Sequence, residues 1–284
     1  MRSPFGIRRV VLVVLDGLRP DAIDQFDLHQ LRRLRDAGAS TMDATTVSPS
    51  ITVAAMTSLL TGVAPGQHGL TSDRFHIPRA ADGLSPLPRV LREANYPTSS
   101  FIGEIPLVFR GVASRIARQL GVTESRFAGR DAPGILLAAR NTLATQRRGL
   151  IVMHWPDADR AGHAHGWMSR EYGDAAQRMD ATLGLLIVLS NIARDPGTML
   201  VLLSDHGGGG VVPNNHESDH PLDRRIWITV FGLRVVPCDL GPASLLDVPA
   251  TILWTLGVHR PSSYAGRALC AAFEPEREPE PAIA

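Results

Sequence analysis

Residues 10–17 read VVLVVLDG, six β-branched or aliphatic residues followed by an acid and a glycine. A strand with one wet face alternates apolar and polar side chains, whereas an unbroken apolar run belongs to a strand covered on both faces. Such a strand sits inside a sheet flanked by helices, and Asp16 stands at its carboxyl end. The following stretch, Asp21 to Ala37, spaces Ile23, Phe26, Leu28, Leu31 and Leu34 near helical period and closes on Gly38. It predicts one amphipathic crossover helix, completing a strand–helix unit.

The alternation recurs along the chain. Strands are expected at Ser99–Gly103, Gly149–His154, Met199–Leu203 and Ile226–Phe231. Helices are expected at Ala132–Thr145, Ser169–Ile192 and Ser244–Leu256. Apolar strands alternating with helices predict an α/β fold with a mostly parallel central sheet and helices on both faces. No internal repeat and no long linker interrupts the pattern, so residues 1–273 are read as a single catalytic domain. Residues 274–284 alternate Glu and Pro without apolar periodicity and are expected to form a disordered tail.

A chain of 284 residues with 44% hydrophobic content can bury a full core. Twenty-nine basic against 28 acidic residues leave a net charge of +1, which gives no global reason to bind nucleic acid or an anionic membrane. An anionic substrate must therefore be held locally. Cys238 and Cys270 form no CxxC pair, which argues against a disulfide framework or a cysteine-rich zinc ribbon. The N-terminal apolar run is too short for a signal core or a membrane span, so a cytoplasmic protein is expected.

Three predicted strand ends carry acids or imidazoles: Asp16, then Asp159 and His163 beyond GLIVMHW, then Asp205 and His206 beyond MLVLLS. Ligands of open α/β sheets bind beyond the carboxyl ends of strands, so these groups are expected to converge. The segment NNHESDH, which follows Asp205 after a glycine run, adds His216 and His220. Oxygen and imidazole donors without thiolates suit Zn²⁺ or Mn²⁺. Each piece has an ordinary alternative: Asp16-Gly17 as a turn, His163 and His165 as loop histidines, Thr52 as a helix cap. The four glycines after His206 leave no side chain to shield the Asp205–His206 pair. In SPSIT, Thr52 precedes an apparent helix ending at Thr61-Gly62, where unpaired N–H groups and the helix dipole favour an anion. A hydroxyl there becomes a nucleophile only when a base or metal activates it.

Together these segments resemble the alkaline phosphatase superfamily, and within it the type I phosphodiesterase and nucleotide pyrophosphatase group. VVLDGLRPD resembles the first metal motif, and PSIT with Thr61-Gly62, Pro65 and His68-Gly69 resembles the nucleophile segment. PDADRAGHAHG resembles PDxxGHxxG with Asp159 in frame and Asp157 as the less favoured alternative, and SDHGG resembles SDHG. The resemblance implies an alkaline phosphatase-like fold and two divalent ions, Zn²⁺ with Mn²⁺ as the alternative. One ion is implied at Asp159, His163 and His216, the other at Asp16, Asp205 and His206, with Thr52 both ligand and nucleophile. His216 is preferred to His220 on spacing. Two divalent ions then balance three carboxylates and one alkoxide.

The implied reaction cleaves a phosphodiester or pyrophosphate bond of a small phosphorylated substrate through a phospho-threonine, which water hydrolyses. One departure is the stretch Val53-Ala54-Ala55, because the group commonly carries Asn three residues after the nucleophile. The same scaffold serves phosphomonoesterases, for which Arg19 or Arg224 can supply the extra cation, and phosphonate hydrolases. A non-catalytic metal-binding descendant is the non-enzyme alternative. Neither cysteine lies in a sulfatase context, and the chain is short for a mutase with an inserted cap. Trp155, Trp167 and Trp227 are expected in core or rim packing.

Overall fold

The computed structural model describes residues 3–72 and 83–273; the tail expected at 274–284 lies outside them. Its strands are β1 (Arg9–Leu15), β2 (Ala39–Thr45), β3 (Thr98–Ile102), β4 (Glu124–Phe127), β5 (Gly149–Trp155), β6 (Thr198–Leu203), β7 (Arg225–Phe231), β8 (Cys238–Asp239) and β9 (Ala243–Ser244). All nine lie in one sheet of order β4-β3-β5-β1-β6-β7-β2-β8, with β9 also paired to β2. Strands β4 to β6 along this path are mutually parallel, β7 runs antiparallel to both β6 and β2, and β8 and β9 run parallel to β2.

The unbroken apolar run has the predicted cause. Val10, Leu12 and Val14 enter one core cluster, while Val11, Val13 and Leu15 enter the other across the sheet. The period-two alternation of a strand thus buries every residue of β1. Because β1 is central, its register levels three strand ends: Leu15 pairs with Trp155 of β5, and Val14 with Leu203 of β6. Asp16, the segment after Trp155, and Asp205 therefore leave the sheet side by side.

Some expected elements differ. The single helix read over 21–37 is two, Ala22–Gln25 and His29–Ala37. Asp27 adopts a positive φ of 56° and turns the chain, so that the Leu28 N–H donates to the Ile23 carbonyl and Leu28 is buried. The helix expected over 244–256 begins at Asp247, because Ser244 is in β9. Helix Leu107–Gln119 lacks a predicted counterpart, and none of its residues is fully buried. No described helix is long and apolar enough to cross a membrane.

Candidate active site

The segment after β5 is helical rather than a loop. Helix Asp157–His165 places Asp159 and His163 one turn apart on the same face, with Asp159 Oδ1 3.4 Å from His163 Nε2. Gly17 follows Asp16 with φ 65°, and an added Cβ there would lie 3.1 Å from the Asp159 Cα. The turn after β1 can thus press against this helix only without a side chain. Asp157 points elsewhere: its Oδ2 accepts from the Ala132 N–H at 2.8 Å, at the start of helix Ala132–Thr145. The neighbouring carboxyl belongs to the scaffold, and Asp159 faces the site.

All seven residues singled out from the sequence converge. His206 Nε2 lies 3.1 Å from Asp16 Oδ1, 3.7 Å from Asp205 Oδ2 and 3.0 Å from Thr52 Oγ1. His216 Nε2 lies 3.7 Å from Asp159 Oδ1 and 3.2 Å from His163 Nε2. The His206 and His216 rings stack at 3.8 Å between centroids. His220 lies apart from this cluster, its Nδ1 accepting from the Leu222 N–H at 3.1 Å.

Thr52 is the first residue of helix Thr52–Thr61 rather than its cap, and no side chain caps that helix. Its Oγ1 instead faces His206 and lies 3.4 Å from Asp16 Oδ1. The capping explanation is therefore excluded.

The three histidines share one orientation. Nδ1 of His163, His206 and His216 faces the carbonyls of Asn214, Gly207 and Ser50 at 3.0, 2.8 and 2.6 Å. A neutral ring must donate through Nδ1 to make that bond, which leaves an Nε2 lone pair directed into the cluster, the arrangement of metal-ligating imidazoles.

The sequence reading missed His154. It pairs with Val14 at the end of β5, and its Nε2 lies 3.2 Å from Asp16 Oδ2. It lay inside a predicted apolar strand and outside every motif; only the level register of β1 and β5 brings it to the site. The described residues form two groups able to hold a cation, Asp159, His206 and His216 in one, Asp16, His154 and Asp205 in the other. His206 thus lies in the group that differs from the one implied, while bridging to Asp16. Buried His154 Nε2, Asp159 Oδ1 and Asp205 Oδ2 have no aligned hydrogen-bond partner. Burying such atoms is costly unless a cation or donor meets them, so this all-oxygen-and-nitrogen donor set fits divalent metal.

The charges give the same indication. Burial raises the Asp159 and Asp205 carboxyls, and the Asp16 charge raises them further. Burial would also raise Asp16, but His154 and His206 outweigh it and hold that carboxyl well below its ordinary range. Burial opposes a proton on His206, yet Asp205 and Asp16 prevail and raise it. Burial and the His206 charge lower His216 to about 4. Three acids this close cannot all ionise comfortably without added positive charge.

The four glycines act differently from the expectation. Asp205 and His206 are completely buried. The missing side chains admit neighbours: a Cβ on Gly208 would fall 2.1 Å from the Trp167 ring, and one on Gly207 2.0 Å from the Leu222 carbonyl. Trp167 donates to the Gly17 carbonyl at 2.9 Å and meets His163 and His216 edge-on, so the indole buttresses the site. Trp155 and Trp227 are fully buried, as expected. Arg19 is clamped by Asp21 at 2.5 Å and by the Gly208 carbonyl at 3.3 Å, and Arg224 lies 3.8 Å from Asp219 and 3.4 Å from the Thr46 carbonyl.

Comparison with known proteins agrees with the fold. The chain is 24% identical over 233 residues to rat (Rattus norvegicus) ectonucleotide pyrophosphatase/phosphodiesterase family member 1, covering 72% of this chain and 24% of that protein. The human (Homo sapiens) member 1 is likewise 24% identical over 230 residues. The chain thus spans about a quarter of the length of these relatives. Human ectonucleotide pyrophosphatase/phosphodiesterase 5 superposes with a TM-score of 0.73 at 14% identity, covering 90% of this chain and 96% of that one. An alkaline phosphatase superfamily protein from Vibrio parahaemolyticus superposes at 0.70 and 16% identity, covering 94% and 71%. The sequence model of one family matches residues 10–87 and 88–232, and the chain accordingly belongs to the type I phosphodiesterase / nucleotide pyrophosphatase family, with an alkaline phosphatase-like fold.

Proposed function

We propose that this protein is a two-metal hydrolase that cleaves phosphodiester or pyrophosphate bonds through a phospho-threonine on Thr52. The observation that carries the reading is the position of Thr52 Oγ1, 3.0 Å from His206 Nε2 and 3.4 Å from Asp16 Oδ1, at the start of a helix and beside two cation-fitting groups. Asp159, His163 and His216 would hold one ion, and Asp16, Asp205, His206 and Thr52 the other, with Zn²⁺ the better fit and Mn²⁺ the alternative. Such a pair, when bound, supplies positive charge for the phosphoryl oxygens and for the attacking and leaving oxygens.

The chain's own residues account for the rest. With Asp16 and His206 engaged in holding the ion, the Thr52 Oγ1 proton passes to bulk water, and Oγ1 forms the bond to phosphorus as the bond to the leaving oxygen breaks. The leaving group departs as an alcohol or phosphate, and water then cleaves the phospho-threonine to restore the hydroxyl. The start of helix Thr52–Thr61 stabilises the anion that develops there. The engagement of Arg19 by Asp21 and the Gly208 carbonyl favours a singly charged diester over a monoester. Phosphomonoester or phosphonate hydrolysis on the same scaffold is the second reading.

The test is turnover of bis(p-nitrophenyl) phosphate beside p-nitrophenyl phosphate by zinc-loaded protein, with chelated protein and Thr52→Ala as controls. Diester turnover lost in both controls is expected. Full turnover by Thr52→Ala would overturn the nucleophile assignment, and faster monoester turnover would favour the second reading.

A further inference from the structure

Beside Thr52 a cavity of about 400 Å³ opens between the sheet and three helices, Thr52–Thr61, Leu87–Glu93 and Leu107–Gln119, a volume in the range of small-ligand sites. Thr52 and His154 form the end that meets the active site. Val53, Met56 and Leu60 contribute one wall from the helix that Thr52 begins, and Ile116 and Ala117 of helix Leu107–Gln119 contribute the facing wall. Phe127 is the single aromatic carbocycle among the described lining residues, which include no Asp, Glu, Lys, Arg, Asn or Gln. The polar groups away from Thr52 and His154 are the hydroxyls of Thr98 and Ser100 on β3.

This lining discriminates between ligands. A nucleobase presents several donors and acceptors on a flat ring, and these walls offer neither amide partners nor a pair of stacking rings. An aliphatic chain needs only apolar walls. The outer side of the same wall helix exposes Leu107, Val108 and Val112, so apolar surface continues outside the cavity. The location also decides which substituent enters. In an in-line displacement the leaving group departs opposite Thr52 Oγ1, away from its helix, so a cavity beside that helix faces the substituent that stays on phosphorus.

We propose that this cavity binds an aliphatic chain on the retained ester group, so that alkyl phosphodiesters are the preferred substrate class. The inference rests on Thr52 being the nucleophile, and its test separates the two. Methyl, butyl and octyl p-nitrophenyl phosphates, below their aggregation concentrations, are compared with the thymidine 5′-ester and bis(p-nitrophenyl) phosphate. Burying each methylene raises kcat/KM by about two- to fourfold until the cavity is full. Ala117→Phe, which fills the cavity from a surface helix, is expected to flatten the octyl-to-methyl ratio.

Turnover of bis(p-nitrophenyl) phosphate with no dependence on chain length, or with the thymidine ester preferred to octyl, overturns the alkyl proposal and leaves Thr52 chemistry standing. If no ester is turned over, Thr52 chemistry fails, and calorimetric binding of methyl and octyl phosphate to the zinc-loaded protein decides the cavity. Tighter octyl binding that Ala117→Phe abolishes supports it; equal binding overturns it.

Discussion

Two acids two residues apart, Asp157 and Asp159, are assigned opposite roles, and replacing each with Asn tests the assignment. Asp157 is almost fully buried, and burial raises its carboxyl from 3.8 to about 6 despite the 2.8 Å bond from the Ala132 N–H. At 1.36 kcal/mol per pH unit, that interval makes the ionised group cost the folded state about 3 kcal/mol. The fold binds this proton more tightly than the unfolded chain does, so the contribution is most favourable at low pH. It is lost as pH rises from 3.8 through about 6.

Asp157→Asn retains an acceptor for Ala132 while abolishing the titration. Its stability relative to the parent should therefore rise by about 2 kcal/mol between pH 4.5 and 7.5. Urea unfolding of chelated protein at both pH values measures the difference, in which every other titration cancels. Bound zinc should be unchanged in Asp157→Asn and reduced in Asp159→Asn. A pH-independent difference would refute the burial argument, and zinc loss in Asp157→Asn would refute the choice of Asp159.

Other consequences are equally direct. His154→Ala should weaken metal binding at the Asp16–Asp205 group by about 10–100-fold, read by zinc titration against a chromophoric chelator; unchanged affinity would remove His154 from the site. Because the Asp159 and Asp205 carboxyls and the His206 imidazole are all raised in the metal-free protein, loading should displace protons. Zinc affinity should then increase with pH, and the heat of binding should vary with the ionisation enthalpy of the buffer. Gly208→Ala places a Cβ 2.1 Å from the Trp167 ring and is expected to cost about 1–3 kcal/mol along with loss of diester turnover; normal thermal stability would show that the indole has room to move.

Much of the site was legible because its chemistry lies at strand ends that announce themselves as apolar runs. VVLVVL before Asp16 and MLVLLS before Asp205 are buried on both faces for the reason their composition implies. The order of segments was sufficient to indicate the family. Local sequence also sufficed for the helix Ala132–Thr145 and for the choice of Thr52 as the hydroxyl to examine.

What remained depended on contacts between residues distant in sequence. His154 is one more side chain in a strand until the register of β1 with β5 sets its Nε2 beside Asp16. Asp157 and Asp159 are both plausible ligands until helix Asp157–His165 turns one toward Ala132 and the other toward His216. The four glycines suggest an open loop until Trp167 and Leu222 occupy the space they leave. Periodicity and composition encode which face of an element is buried, because burial is a property of each element's own pattern. Which groups meet across that face is settled by register and packing, and these exist only once the sheet has formed.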